Sequence, residues 1–313
     1  MTKFILQRLL AGFLTIASLS VVAFFLLYLS AGDAARNIVG QNAPQELVDR
    51  KADELGLERP LITQFLEWAG GAVQGDLGRS WFTGQTVTEA LTTRLPVTLT
   101  LTIGAVLLSA IIAVLLGVIA SQRRGIIDRF IQIGSVTLAA VPGFLIALVL
   151  ALVFALTLRW FPATGYVRPG ASLVGWLSTI TLPIIALSIA ATAGVAQQVR
   201  GSMIDANRLD YVRTLRARGL PERRVLFMHV LRNAAAPALS VLGLQFIVLF
   251  GGAVVVEQVF SLPGLGQTAI TATSQGDVPV VMGLVILTAL VVFIVNLAID
   301  LLQGWLNPKM RQS

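Results

Sequence analysis

From Leu95 to Gln122 the chain reads LPVTLTLTIGAVLLSAIIAVLLGVIASQ, 28 residues without a charged side chain. About 20 apolar residues in a helix cross the hydrocarbon of a bilayer, whereas a buried helix in a soluble core rarely needs more than about 14. The stretch therefore reads as a transmembrane helix. Five further uncharged runs accompany it: Leu9–Ala31, Phe130–Leu158, Pro169–Val199, Asn233–Val256 and Val278–Ile299. Each is read as one membrane helix, so the chain is expected to be an all-α membrane protein with six transmembrane helices. Overall composition agrees, since 56% of the 313 residues are hydrophobic and 12% charged, against about 45–50% and about 25% in soluble domains. Pro96, Pro237 and Pro279 lie near the beginnings of their runs, where a missing N–H costs nothing, and mark expected helix starts. Pro142-Gly143 falls inside the third run and predicts a kink or break there.

A net charge of +7 would suit nucleic-acid binding if it were spread evenly, and it is not. Lys3, Arg8, Arg123, Arg124, Arg129, eight arginines within 200–232, Lys309 and Arg311 all fall on one side of a six-helix topology. That side holds fifteen basic and five acidic residues, and the other eight basic and eleven acidic. Lys and Arg are retained in short cytoplasmic segments, so both termini are expected to be cytoplasmic and the basic charge calls for no nucleic acid. The first run begins like a signal peptide, but its 23 uncharged residues exceed the usual 7–15-residue signal core. It is expected to be retained.

What is missing narrows the chemistry. There is no cysteine, which excludes disulfides, thiolate metal sites and cysteine nucleophiles, and the single histidine, His229, excludes a multi-histidine metal centre. No Gly-x-x-x-x-Gly-Lys-Ser/Thr phosphate loop occurs, and the only lysines are Lys3, Lys51 and Lys309. The chain cannot hydrolyse ATP by that route. An intramembrane protease would need paired mid-helix aspartates, a metal-binding histidine cluster or a serine–histidine pair in the bilayer, none of which the runs contain. A secondary transporter would normally show internal repeats and mid-membrane ionisable residues, whereas these helices are nearly free of charge.

Two long segments interrupt the otherwise tight connections. The outer one, Gly32 to Arg94, is polar, with Pro44-Gln45-Glu46-Leu47 reading as a helix start and Gly56-Leu57-Glu58-Arg59-Pro60 as a stop. It serves either as a solvated cap or as a docking surface for a soluble delivery protein. The expected organisation is thus an N-terminal helix with external segment (1–94), a transmembrane domain (95–304) and a tail (305–313). Inside that domain lies the second segment, 200–236, reading RGSMIDANRLDYVRTLRARGLPERRVLFMHVLRNAAA. Helix-favouring residues run to Arg218, Gly219 suits a C-terminal cap, and Pro221 suits the first turn of a second short helix. A basic helix–glycine–helix elbow results, with Val225, Leu226, Met228, Val230 and Leu231 as apolar surface. Such an elbow suits anionic lipid headgroups or a groove on a cytoplasmic partner.

Asp210 to Pro237 resembles the EAA loop of binding-protein-dependent ABC transporter permeases of the dipeptide/oligopeptide group, whose usual form is close to Asp-Tyr-Val-Arg-Thr-Ala-Arg-Ala-Lys-Gly-Leu, then His-x-Leu-Arg-Asn and a proline. Here Asp210, Tyr211, Val212, Arg213, Thr214, Arg216, Ala217, Gly219, Leu220, His229, Leu231, Arg232, Asn233 and Pro237 match, while Leu215 replaces alanine and Arg218 replaces lysine. Phe4-Ile-Leu-Gln-Arg-Leu-Leu, Leu55-Gly56-Leu57 with Pro60-Leu61, Gly75-Asp76-Leu77-Gly78-Arg79-Ser80, and Gly251 to Gly266 resemble further stretches of the B-type subunit. The resemblance spans nearly the whole chain.

It implies a type I ABC importer permease fold in the bacterial cytoplasmic (inner) membrane. It also implies partners: a second homologous permease, two ABC ATPase subunits or domains, and an extracytoplasmic substrate-binding protein. ATP–Mg would sit on the ATPases, leaving this chain without cofactor or catalytic residue. The elbow would couple to the ATPase through Asp210, Arg213, Leu215, Arg218, Gly219, Leu220, Pro221, Val225 and His229. Cargo would be a dipeptide or oligopeptide, with nickel complexes, haem or another small solute as the alternative. Within the membrane, Glu257 is expected either to face a vestibule and meet a peptide's amino terminus or to be a solvated helix-end carboxylate. Asn296 lines the pathway or bonds another helix, and Asp300 reads as an interfacial end charge.

Overall fold

The computed structural model describes residues 2–29, 32–123 and 125–306, so Arg124, Lys309 and Arg311 of the charge argument lie outside them, as does most of the expected tail. Among the described residues the only β-pairing is an isolated bridge between Arg79 and Thr86. Helix dominates because hydrocarbon offers no partner to a peptide group, so each must bond within its own segment.

Helix α1 (Thr2–Leu29) covers the first apolar run. The polar segment 32–94 begins with α2 (Gly32–Val39), α3 (Gln45–Glu54) and α4 (Leu61–Val73), the last two entered through Pro44 and Pro60 as N-caps. Helix α5 (Val87–Gln122) begins well before Pro96, which lies inside it rather than at its start. Buried Val87, Ala90 and Leu91 hold the added turns in place. The third apolar run is not one straight helix: α6 (Ile126–Ala140) and α7 (Gly143–Leu150), continued by a π-helix over Ala151–Thr157, meet at 93°. Val141 is extended there (φ −81°, ψ 122°), as the residue before a proline tends to be. Helix α8 (Leu173–Asn207) is followed by α9 (Asp210–Ala217). The short α10 (Glu222–Arg224), a π-helix over Val225–Val230 and α11 (Leu231–Val259) then run on without a break. Pro237 thus lies within a helix, and the second arm of the elbow is the foot of a long rod rather than a separate short helix. Finally come α12 (Leu265–Gln275) and α13 (Val278–Leu306), with Pro279 in the first turn of α13. Among the described residues five helices are long and apolar enough to cross a membrane, and the bent pair makes six if it counts as one span.

The chain divides into two compact units. In the first, residues 1–97 with 264–294, Phe24 stacks on Tyr28 and meets Phe65 and Trp68 of α4. Val278 and Met282 complete that buried cluster. Asp277, just before α13, is 2% exposed and accepts bonds from the Ser80 hydroxyl and the Trp81 amide. Ser80 Oγ in turn accepts from the amides of Phe82 and Thr83, at 3.3 and 3.0 Å. The Gly75-to-Ser80 stretch therefore ends in a polar knot that holds the polar 32–94 segment to the start of α13.

The second unit, residues 98–263 with 295–313, is built on α8 and α11. Ala186, Ala191, Ala193, Val195, Ala196 and Val199 give α8 a buried small-residue surface. Gly117 of α5 lies so near α8 that a Cβ there would stand 2.7 Å from Val199. At the next residue of α8, Arg200 clasps Asp128 of α6 through two bonds of 2.6 Å, and Gln132 adds a third at 2.9 Å.

Replacing Asp277 with alanine strands a buried hydroxyl and a backbone amide. The expected loss is about 1–3 kcal/mol, read as a lower thermal midpoint in detergent with faster proteolysis at 74–86. Asp277→Asn keeps an acceptor oxygen and should lose less.

Candidate functional site

The elbow forms because α8 cannot continue past Asn207. Leu209 turns extended (φ −70°, ψ 144°) and caps α9. At the far end Gly219 takes φ +77°, a left-handed conformation open to glycine without a Cβ penalty. Its amide donates to the Arg216 carbonyl at 2.9 Å, and the Leu220 amide to the Leu215 carbonyl at 3.3 Å. This is the paired-bond Schellman termination, in which a hydrophobic contact across the turn is usual, and Leu215 and Leu220 both pack against the same core. Pro221 then stands as N-cap (φ −65°, ψ 140°), its carbonyl accepting from Arg224 and Val225. Arg216 closes the corner with a two-pronged pair to Glu222 (3.0 and 2.6 Å) and a 3.2 Å bond to Asn207. The Glu222 hydrogen bond holds the Arg216 guanidinium above its ordinary pKa.

The apolar face of the second arm is not presented outward. Val212 of α9 and Val225, Leu226 and Val230 of the π-helix are buried with Val199, Met203 and Ala206 of α8 in one core. Val225, expected as a coupling contact, is an anchor inside this chain, because the tight turn at Gly219 folds that face back onto α8. What the elbow does expose is Asp210, Arg213, Arg218, Gly219 and Pro221, with Leu215, Leu220 and His229 half-buried. Phe227 and Met228 are exposed as well, at 55% and 60%. The ion pair of Arg213 with Asp210, at 3.7 Å, is open to solvent.

Glu257 also differs from expectation. It is neither solvated nor turned to an open vestibule: its side chain is wholly buried, and the Thr98 hydroxyl donates to its carboxylate at 2.5 Å. It lies near the end of α11, where the chain reverses through Phe260 and Ser261 (φ 50°), and its backbone carbonyl accepts from Leu262 at 2.8 Å. Asn296, by contrast, is exposed on α13, and Pro142 stands at the 93° bend. The sequence reading missed the Asp128–Arg200 clasp, the Asp277 knot and a 2.6 Å bond from Asn233 to the Tyr211 hydroxyl. Asp128 was the one findable signal, as the lone acid in a basic connection.

Among the described residues no cluster of three metal-ligating side chains occurs. The geometry is that of a membrane-embedded helical body with a rigid, basic elbow.

Two family models cover this body. Residues 1–102 match the N-terminal model for membrane components of binding-protein-dependent transport systems, and residues 113–312 match the inner membrane component itself. The chain therefore belongs to the family of binding-protein-dependent transport system inner membrane components, multi-pass proteins of the inner membrane. It is 35% identical over 99% of its length to the probable peptide ABC transporter permease y4tP of Sinorhizobium fredii, all of which is covered. The same identity relates it to the di/tripeptide permease DppB of Pseudomonas aeruginosa, with both chains fully covered. It also holds for the glutathione permease GsiC of Escherichia coli, with 99% of each chain covered.

Because glutamine keeps an acceptor oxygen for Thr98, Glu257→Gln should lower the thermal midpoint less than Glu257→Ala and should affect uptake of amino-free and amino-blocked cargo alike. Glu257→Ala removes that acceptor and opens a void, and should lose about 1–3 kcal/mol in the melting of the detergent-solubilised protein.

Proposed function

We propose that the chain is the permease subunit of an ATP-driven importer of peptides and supplies half of its translocation pathway. Its partners are a second homologous permease, two ABC ATPase subunits or domains that carry ATP–Mg, and an extracytoplasmic substrate-binding protein. The chain itself is not catalytic and holds no cofactor. Support for the cargo comes from the relatives, whose names specify peptides, di/tripeptides and glutathione. None of these three names a nickel complex or haem.

The observation that carries the coupling role is the continuity of Glu222 to Val259. At 1.5 Å per residue this rod is about 57 Å long, so a push on its foot is delivered across the bilayer. The foot is stiff because Val225, Leu226 and Val230 are locked into α8 and Arg216 ties α9 to Glu222. Asp210, Arg213, Arg218, Gly219 and Pro221 form the face offered to an ATPase groove, with Leu215, Leu220 and His229 at its edge. Both termini and the elbow lie on the cytoplasmic side, a placement supported by the basic charge asymmetry of the chain.

Reconstituted with its ATPases, second permease and binding protein, the chain should support peptide uptake into vesicles that requires ATP on the elbow side. Uptake driven by an ion gradient without ATP would overturn the reading.

Gly219 gives a finer test. A Cβ there meets no neighbouring atom within 4 Å, so substitution acts through φ alone. Gly219→Ala should cost about 1 kcal/mol locally and reduce peptide-stimulated ATP hydrolysis at equal membrane abundance. Gly219→Asn, which accepts left-handed φ more readily, should lose less. Equal rates for all three chains would remove the turn from the coupling path.

A further inference from the structure

Beside the elbow opens a pocket of about 430 Å³, lined by Tyr211, Met228, His229, Arg232 and Asn233. Its polar lining is rich in donors. Asn233 Nδ2 donates to the Tyr211 hydroxyl at 2.6 Å, which occupies an acceptor position of that oxygen and frees the phenolic proton to point elsewhere. Arg232 brings a guanidinium for which no ion pair is formed among the described residues, Asn233 has a second amide hydrogen, and His229 carries a ring N–H. Among the described residues no carboxylate belongs to this lining. Such a site suits an oxyanion with several acceptor oxygens, and a guanidinium binds phosphate in a two-pronged, charge-assisted manner.

Position identifies the source of that phosphate. Arg232 is the last charged residue before the uncharged run Asn233–Val256, so the pocket lies at the boundary of the hydrocarbon. Met228, on its wall, and the adjacent Phe227 are among the few large apolar side chains of the elbow left exposed, placed to lie against acyl chains. We propose that the pocket is a binding site for the headgroup phosphate of an anionic phospholipid. A zwitterionic lipid offers the same phosphate, but its cationic headgroup would face Arg232 with no carboxylate in the lining to receive it. The site rests on the inner-membrane placement of the chain and not on the cargo or on the ATPase contact. Its occupant would brace α9 against the start of α11 through Tyr211 and Asn233.

The test uses the purified full chain with its co-purifying subunits. Native mass spectrometry against phosphatidylglycerol and phosphatidylcholine of identical acyl chains should show tighter retention of the former. Arg232→Gln should weaken phosphatidylglycerol binding about tenfold and Tyr211→Phe about threefold, while Arg232→Lys should lose less than Arg232→Gln. Arg123→Gln, an equal loss of charge at an exposed position outside the pocket, should leave binding unchanged. Equal weakening by Arg123→Gln and Arg232→Gln would mean diffuse attraction and overturn the site. So would a lack of preference between the two lipids, or complete displacement of the lipid by millimolar inorganic phosphate. Unchanged lipid binding in Arg232→Gln together with loss of the ATPase would assign the pocket to a protein carboxylate instead.

Discussion

Every peptide group inside hydrocarbon must find its partner in the same segment, and the rest of this structure follows from how the chain meets that requirement. Where it is met with at most one internal proline the result is a long rod, as in α5, α8 and α13. Each departure has a named cause. Pro142 cannot donate and pushes Val141 out of the helical region, giving the 93° bend. Gly219 ends α9 with two internal bonds, so the turn leaves neither the Leu215 nor the Arg216 carbonyl unsatisfied. Pro96, Pro183 and Pro237 each remove one bond yet do not break their helices, because the surrounding turns are held by packing.

Polar side chains are placed by the same logic. A carboxylate removed from water is costly unless bonded, and the buried acids here have partners that lie far off in sequence: Thr98 for Glu257, Ser80 and Trp81 for Asp277, Arg200 for Asp128. Removing one partner of such a pair costs more than the pair contributes to stability, so these contacts fix register rather than add much net energy. Asp128 and Arg200 set the start of α6 against the far end of α8. Asp277 sets the Gly75-to-Ser80 loop against the start of α13. With small residues such as Gly117 and the alanines of α8 permitting close approach, a few polar clasps are enough to choose one alignment among many apolar ones.

The apolar runs were legible because period hardly matters in a membrane span: length without charge is the signal. Among the described residues each run lies mostly in helix, apart from the break at Val141 and Pro142 and residues 169–172 ahead of α8. Boundaries were less legible. Pro96 and Pro237 look like starts when only the apolar stretch is considered, but the helices extend into polar sequence wherever buried side chains support the extra turns, as Val87, Ala90, Leu91, Val225 and Val230 do. In the elbow, the left-handed glycine, the cap and the corner could be read from local chemistry. The direction of Val225 could not, since it depends on how sharply Gly219 returns the chain toward α8. Glu257 is the same failure at the other end of α11: a lone acid after a small apolar stretch suggests a functional charge, and only the distant Thr98 shows that it is a buried acceptor.

The inward turn of that apolar face bears on how an elbow of this kind can work. If Val225, Leu226 and Val230 were the docking surface, the elbow would be loose in the isolated chain and ordered only by its partner. Because they belong to the core shared with Met203 and Val212, the elbow is already shaped before anything binds, and no ordering entropy is spent on contact. A preformed elbow also moves as a unit with α8 and α11, the two helices that pack most extensively on each other. Apart from Arg216, its exposed arginines then have little to do with holding it together. They are free to meet opposite charge on whatever surface the elbow faces, and the stiffness of the body behind them decides how much of that contact reaches the membrane.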